Sequence, residues 1–162
     1  MWKVAIVVAS NKASRGERVD NSGPAVKDVL THHLEANVII YRVLPDCIET
    51  LKENMIEITD RHQVDLLVTV GGTGLSPDDV TPEATRQVID RVVPGMAEEM
   101  RRKALESSRL AMFTRAICGT RGNSLIINLP GAVQDAQTCL EAIIDQLPNA
   151  LTILRGEEGV NA

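Results

Sequence analysis

Aromatic side chains are almost missing from this chain of 162 residues: one Trp, one Tyr and one Phe make up 2% of it. With so few rings there is no platform on which successive bases of single-stranded nucleic acid would stack. An excess of basic charge is missing too. Against 17 Lys and Arg stand 22 Asp and Glu, a formal net charge of −5, where a nucleic-acid binder shows a basic patch or stripe. Cysteine is scarce: Cys47, Cys118 and Cys139 are odd in number, far apart and form no C-x-x-C, which argues for reduced thiols over a disulfide framework or a zinc site. No apolar stretch approaches a membrane span, and the start at Met1-Trp2-Lys3, with a short apolar run to Ser10, lacks the form of a signal peptide. The expectation is a cytoplasmic protein that binds neither membrane nor nucleic acid.

What the chain does have is aliphatic bulk. Hydrophobic residues make up 44%, so the core must be built from Val, Ile, Leu and Ala. At this length one domain over residues 1–162 is expected, burying roughly 70% of its unfolded surface. The organising stretch runs from Val64 to Thr85. Its apolar start reads as a strand buried on both faces, which breaks into Gly71, Gly72 and Gly74. Glycines of this kind turn several backbone N–H groups toward one point, where an anion such as phosphate is held; a tight turn without a ligand is the plainer alternative. The loop matches neither G-x-G-x-x-G nor G-x-x-x-x-G-K-[ST]. Asp78 and Asp79 follow, and two carboxylates beside a phosphate call for a cation such as Mg²⁺ between them, unless they only solvate the turn. Thr81-Pro82-Glu83 reads as a helix start with Thr81 as N-cap.

Elsewhere the pattern alternates strand and helix. Residues 3–9 form an apolar run that predicts a central parallel strand beside the glycine-loop strand. Residues 10–24 are polar and long for a connection; their hydroxyls, among them Ser10, Ser14 and Ser22, and Lys12, Arg15 and Arg18 are within reach of a phosphate at the strand end, or simply solvated. Helical spacing follows over 24–36, a second strand over 37–44, and a helix after Asp46. Asp46 reads either as that helix's N-cap, with Glu49 as capping-box partner, or as a crevice carboxylate shared with Asp79, because it sits where a strand ends. A short helix is expected to run on from Thr85 to Val92, another to span 96–107, and residues 112–118 and 124–129 to flank a hairpin-like connection at 119–123. A terminal helical segment with Pro148 as a kink completes the chain. The fold class is therefore α/β: a mostly parallel sheet with helices on both faces and a locally antiparallel edge.

At these residues the chain resembles the molybdopterin adenylyltransferases, called MogA in bacteria and related to MoaB and the gephyrin G domain. The resemblance runs from Val4 to about Arg155. It rests on Gly71-Gly72-Thr73-Gly74 with Asp79-Val80-Thr81-Pro82-Glu83-Ala84, on Pro94-Gly95, on Ser124–Gly131 and on Leu44-Pro45-Asp46, four segments in one order. It implies a step of molybdenum cofactor biosynthesis: a terminal phosphate oxygen of molybdopterin attacks the α-phosphorus of Mg²⁺-bound ATP, and pyrophosphate leaves. Carried over, Asp46 and Asp79 are the essential carboxylates and hold the metal. Ser10, Ser14, Asp20, Ser22, Gly71, Gly72, Thr73 and Gly74 contact the nucleotide, and Thr114, Arg115, Arg121, Asn123 and Ser124 receive the pterin. For Arg115 and Arg121 a surface hairpin role is the alternative. A homotrimer and a hand-off to a molybdenum-insertion protein are further implied. The chain departs from its relatives at Asp78, often arginine, and at Asn11, often aspartate. A non-catalytic molybdopterin-binding module is the alternative function, against which the presence of both Asp46 and Asp79 speaks.

Overall fold

The computed structural model describes residues 1–159. Six strands, β1 (Trp2–Ala9), β2 (Ala36–Leu44), β3 (Leu66–Val70), β4 (Arg91–Val92), β5 (Cys118–Arg121) and β6 (Ser124–Leu129), form one sheet in the order β2-β1-β3-β6-β5-β4. β2, β1, β3 and β6 run parallel, and β5 is antiparallel to both its neighbours. Among the described residues there are seven α-helices, α1 (Asn11–Ser14), α2 (Ser22–His33), α3 (Ile48–Ile56), α4 (Thr81–Arg86), α5 (Pro94–Leu105), α6 (Val133–Glu141) and α7 (Leu147–Leu154).

Continuous apolar runs in β1, β3 and β6 are explained by burial on both faces. Val4, Ile6 and Val8 point with Leu66, Val68, Val70, Leu125, Ile127 and Leu129 into one core, which α2, α5, α6 and α7 cover. Ala5, Val7, Ala9, Leu67 and Ile126 point the other way, against α3 and α4. That second face carries a buried polar knot. Asn128 Nδ2 donates to Thr69 Oγ1 (2.9 Å) and Thr85 Oγ1 (3.0 Å), while Asn128 Oδ1 accepts from the Ile117 N–H (3.2 Å). All the side-chain polar atoms of Asn128 are thereby paired, as burial demands.

The expected layout stands with local corrections. A four-residue helix, α1, interrupts the 10–24 connection, and α2 starts at Ser22. Residues 112–118 are not a strand: a 3₁₀ turn spans Arg109–Phe113, β5 starts at Cys118, and the hairpin turn shrinks to Gly122-Asn123. The helix at Thr81 stops at Arg86, and Arg91–Val92 pairs as a short edge strand with β5. Pro148 lies in the first turn of α7, where a missing N–H costs nothing, so it opens a helix instead of kinking one. Among the described residues no helix is long and apolar enough to cross a membrane.

Candidate active site

The carboxyl ends of β1, β2, β3 and β6 open on one side of the sheet, the ligand side of a parallel α/β fold. There Gly71 and Gly72 adopt φ of +97° and +68°. A Cβ on Gly71 would sit 2.5 Å from the Ala9 carbonyl oxygen, so that position has no room for a side chain, and one on Gly74 would sit 2.8 Å from Asp79 Oδ2 and displace that carboxylate. The loop is pinned at both ends by Gly71 N–H donating to Leu129 O (2.9 Å) and Thr81 N–H donating to Gly72 O (3.0 Å).

Two cavities meet at this loop. The larger, about 520 Å³, is lined by Ser10, Arg18, Asp20, Ser22, Asp46, Gly71 and Gly72 among others. The smaller, about 290 Å³, is more apolar and is lined by Thr73, Gly74, Leu110, Phe113, Thr114 and Cys139 among others. Gly72, Asp79, Gly131 and Ala132 line both. Lys12, Arg15 and Arg18 edge the cleft where Asp46 and Asp78 face it.

Asp46 is not a helix cap: the N-cap of α3 is Cys47, and no side chain caps it. Its partner is instead Asn11. The Asp46 N–H donates to Asn11 Oδ1 (2.9 Å) and the Asn11 N–H donates to Asp46 Oδ2 (3.0 Å), a reciprocal pair across 35 residues that turns the carboxylate into the cleft. Asp46 Oδ1 is buried and has no partner. Burial pushes the Asp46 carboxyl above the ordinary aspartate value; the Asn11 N–H opposes that, and the charges of Asp79 and Asp78 add to it. Asp79 is held by Ser76, whose N–H donates to Asp79 Oδ2 (3.0 Å) and whose carbonyl accepts the Asp79 N–H (2.9 Å). An unpartnered buried carboxylate oxygen whose ionisation two further carboxylates oppose suits a divalent cation, and hard oxygen donors are what Mg²⁺ takes. No group of three or more His, Cys, Asp or Glu fit to hold a metal is present among the described residues. A cation here would therefore complete its shell with substrate oxygens and water.

Thr81 departs from expectation. Val80 is the N-cap of α4, its carbonyl accepting the Ala84 N–H (3.0 Å), so the Thr81 hydroxyl caps nothing and remains buried without a partner. Several expected contacts are engaged elsewhere. Ser10 Oγ accepts from Ala13 N–H (3.1 Å) and caps α1, and Ser14 Oγ donates to Asn11 O (2.9 Å). Asp20 Oδ1 accepts from Ser22 and Gly23 N–H (3.1 and 3.0 Å), its other oxygen accepts from Tyr41, and Ser22 Oγ donates to Gly131 O. These residues shape the cleft wall more than they offer free polar groups to it.

Arg115 is a clamp. Its Nε donates to Gly74 O (2.8 Å), one terminal nitrogen to Asp79 O (2.7 Å) and the other to Glu83, while its backbone N–H donates to Thr73 O (2.8 Å). The guanidinium is thus consumed by the loop itself, and Glu83 is held below the ordinary glutamate value by it. Arg121, Asn123 and Ser124 are not brought to the cleft of their own chain. They lie at the opposite end of the sheet in a separate cavity, where Arg121 is bound by Asp60 (2.8 and 2.9 Å) and Val88 O (2.8 Å) and Ser124 Oγ donates to Val64 O. The reason is direction: β6 runs parallel to β3, so its first residue sits at the amino end. A six-residue strand spans roughly 20 Å, which separates Ser124 from the Leu129-Pro130-Gly131 end that does reach the cleft.

Sequence and fold comparison agree with this geometry. Residues 5–149 match the family model described as "Probable molybdopterin binding domain". A molybdopterin adenylyltransferase of Helicobacter pylori is 36% identical over 154 residues, 94% of this chain and 88% of that protein. The molybdopterin adenylyltransferase of Escherichia coli K12 is 33% identical over 150 residues, 92% of this chain and 77% of its own length. Among solved structures, the molybdopterin biosynthesis enzyme MoaB from Thermus thermophilus superimposes with a TM-score of 0.92 at 41% identity, covering 99% of this chain and 100% of that one. A glycine loop between two cavities, two carboxylates facing it and a match along nearly the whole sheet lead to one conclusion: the chain belongs to the family of molybdopterin-binding domains to which MogA and MoaB belong.

Proposed function

We propose that this chain is a molybdopterin adenylyltransferase, joining AMP from ATP to the terminal phosphate of molybdopterin with release of pyrophosphate. The observation that carries the reading is the pair of adjoining cavities sharing Gly72 and Asp79, because a group transfer needs two substrates whose reacting atoms meet. ATP takes the larger cleft, with its phosphates toward the glycine loop and Arg18. Molybdopterin takes the smaller one against Phe113, Leu110 and Thr114. The nucleophile is already anionic, so no side chain need act as base. What the protein supplies is positioning and charge neutralisation along the in-line path.

Mg²⁺, held by Asp46 and Asp79, would neutralise phosphate charge as pyrophosphate departs. Asn11 holds Asp46 in place, and Ser76 with Arg115 holds the Asp79 loop, so both carboxylates are oriented before substrate arrives. A homotrimer and transfer of the product to a molybdenum-insertion protein rest on the family resemblance.

Mass spectrometry of the purified chain mixed with molybdopterin, ATP and Mg²⁺ tests this directly. Wild type is expected to yield adenylylated molybdopterin, and Asp79→Asn to lose turnover by about 10²-fold or more while nucleotide affinity changes by less than about tenfold. No product with molybdopterin still tightly bound would favour the binding-module alternative; equal loss of turnover and nucleotide affinity would remove the metal-positioning role of Asp79.

A further inference from the structure

Two oxygens in the cleft are buried and unpartnered, and they flank the same glycine. Thr81 is fully buried, and its Oγ1 lies 2.3 Å from the point a Cβ on Gly72 would occupy; Asp46 Oδ1 lies 3.2 Å from that point. Burying a hydroxyl without a hydrogen bond is unfavourable, and burying an unpaired carboxylate oxygen is more so. The fold offers Thr81 no relief: its backbone N–H is used on Gly72 O, its carbonyl accepts from Thr85 Oγ1 (2.8 Å), and its hydroxyl caps no N–H of α4. Thr85, four residues on, has its hydroxyl fully engaged with Thr81 O and Asn128, so the orphaned state is particular to Thr81 and not general to threonines of this helix.

We propose that Thr81 is a further ligand-holding residue of the site, its hydroxyl and Asp46 Oδ1 together receiving the divalent cation of the bound nucleotide, directly or through one of the cation's waters. This rests on the reading of the cleft as an Mg²⁺-ATP site. A neutral hydroxyl paired with a carboxylate is the same donor class that holds Mg²⁺ in P-loop enzymes, where a Ser or Thr and an Asp do so. Here the loop is different, and only the chemistry of the donors is shared. Gly72 takes part by absence, since a Cβ there would crowd both oxygens.

The test uses Mn²⁺ as the spectroscopic substitute for Mg²⁺ and α,β-methylene-ATP, which cannot be cleaved at the bond that adenylyl transfer breaks. Mn²⁺ binding to the whole chain is followed by electron paramagnetic resonance with and without the analogue, and analogue binding without metal by calorimetry. Thr81→Val, which keeps the shape and removes the hydroxyl, is expected to weaken Mn²⁺ binding in the presence of the analogue by about tenfold or more, with metal-free analogue binding unchanged. Thr81→Ser is expected to stay within about twofold of wild type. Should Thr81→Val fail to fold, Thr81→Ala is read in its place against Thr81→Ser. Unchanged Mn²⁺ affinity in the hydroxyl-free variant, equal loss in the Ser variant, or a wild type that binds the analogue yet never recruits Mn²⁺ to the complex would each overturn the assignment. A wild type that binds neither analogue nor Mn²⁺ would instead overturn the proposed function.

Discussion

Gly71 shows what a single residue contributes to this site. Its φ of +97° lies in the region a Cβ disfavours, and the carbonyl of Ala9 stands 2.5 Å from where that Cβ would go. Gly71→Ala is therefore expected to lose at least about 1–3 kcal/mol of stability, read as a lower urea midpoint with an unchanged m-value. Residues of this kind are legible in the amino-acid sequence, because a strand that breaks into three glycines within four positions must turn sharply or let something approach its backbone. Asp46 and Asp79 are legible for a related reason: each follows directly on the carboxyl end of a strand or its loop. The pairing of Asn11 with Asp46 is not, since nothing local to either residue names a partner 35 positions away. The same holds for Thr81, whose hydroxyl matches a helix-cap pattern that the backbone satisfies without it.

At the scale of elements, Arg115 ties together the glycine loop, the Asp79 turn and the start of α4 through Gly74 O, Asp79 O and Glu83. A planar fork reaches these three separate acceptors with three different nitrogens, whereas the donors of a lysine all sit on one. Arg115→Met is expected to lower kcat by about 10–100-fold through a displaced Asp79 and to cost about 1–3 kcal/mol, the pair being one-third exposed. Arg115→Lys should recover little of either, as judged by turnover and thermal unfolding side by side. Arg115, expected as a phosphate or pterin contact, spends its side-chain donors on the loop, and a cation beside a loop looks the same in sequence whether it faces a ligand or holds the loop. The placement of Arg121, Asn123 and Ser124, by contrast, follows from strand length alone. Once Pro130-Gly131 is set at the ligand side, six residues of extended chain put Ser124 at the other end.

At the scale of the whole molecule, several acidic groups away from the cleft are held by arginines. Arg42 grips Glu57 with two hydrogen bonds (2.9 and 3.2 Å), and with His62 this lowers the Glu57 carboxyl from 4.5 to about 2. Asp60, beside Arg121, is lowered as well. A carboxyl whose folded value is depressed gives stability that is present above its unfolded value and lost as pH falls through the folded one. Denaturation midpoints should accordingly fall between about pH 4.5 and pH 2, and Arg42→Met should flatten part of that fall. The architecture is legible at this scale, an α/β sheet buried on both faces, because aliphatic runs in three strands admit no exposed side. Of the strand order only the place of β1 beside β3 is legible, and the full order carries a consequence for how the chain is made. β3 pairs on one side with β1, through Val4 and Leu66, and on the other with β6, through Leu66 and Leu125. During synthesis the amino-terminal three strands can assemble as soon as β3 emerges, but the open edge of β3 stays bare until most of the chain has followed. A nascent polypeptide of this order thus spends much of its elongation with an apolar strand edge uncovered, and rescue by a chaperone would matter most in that interval.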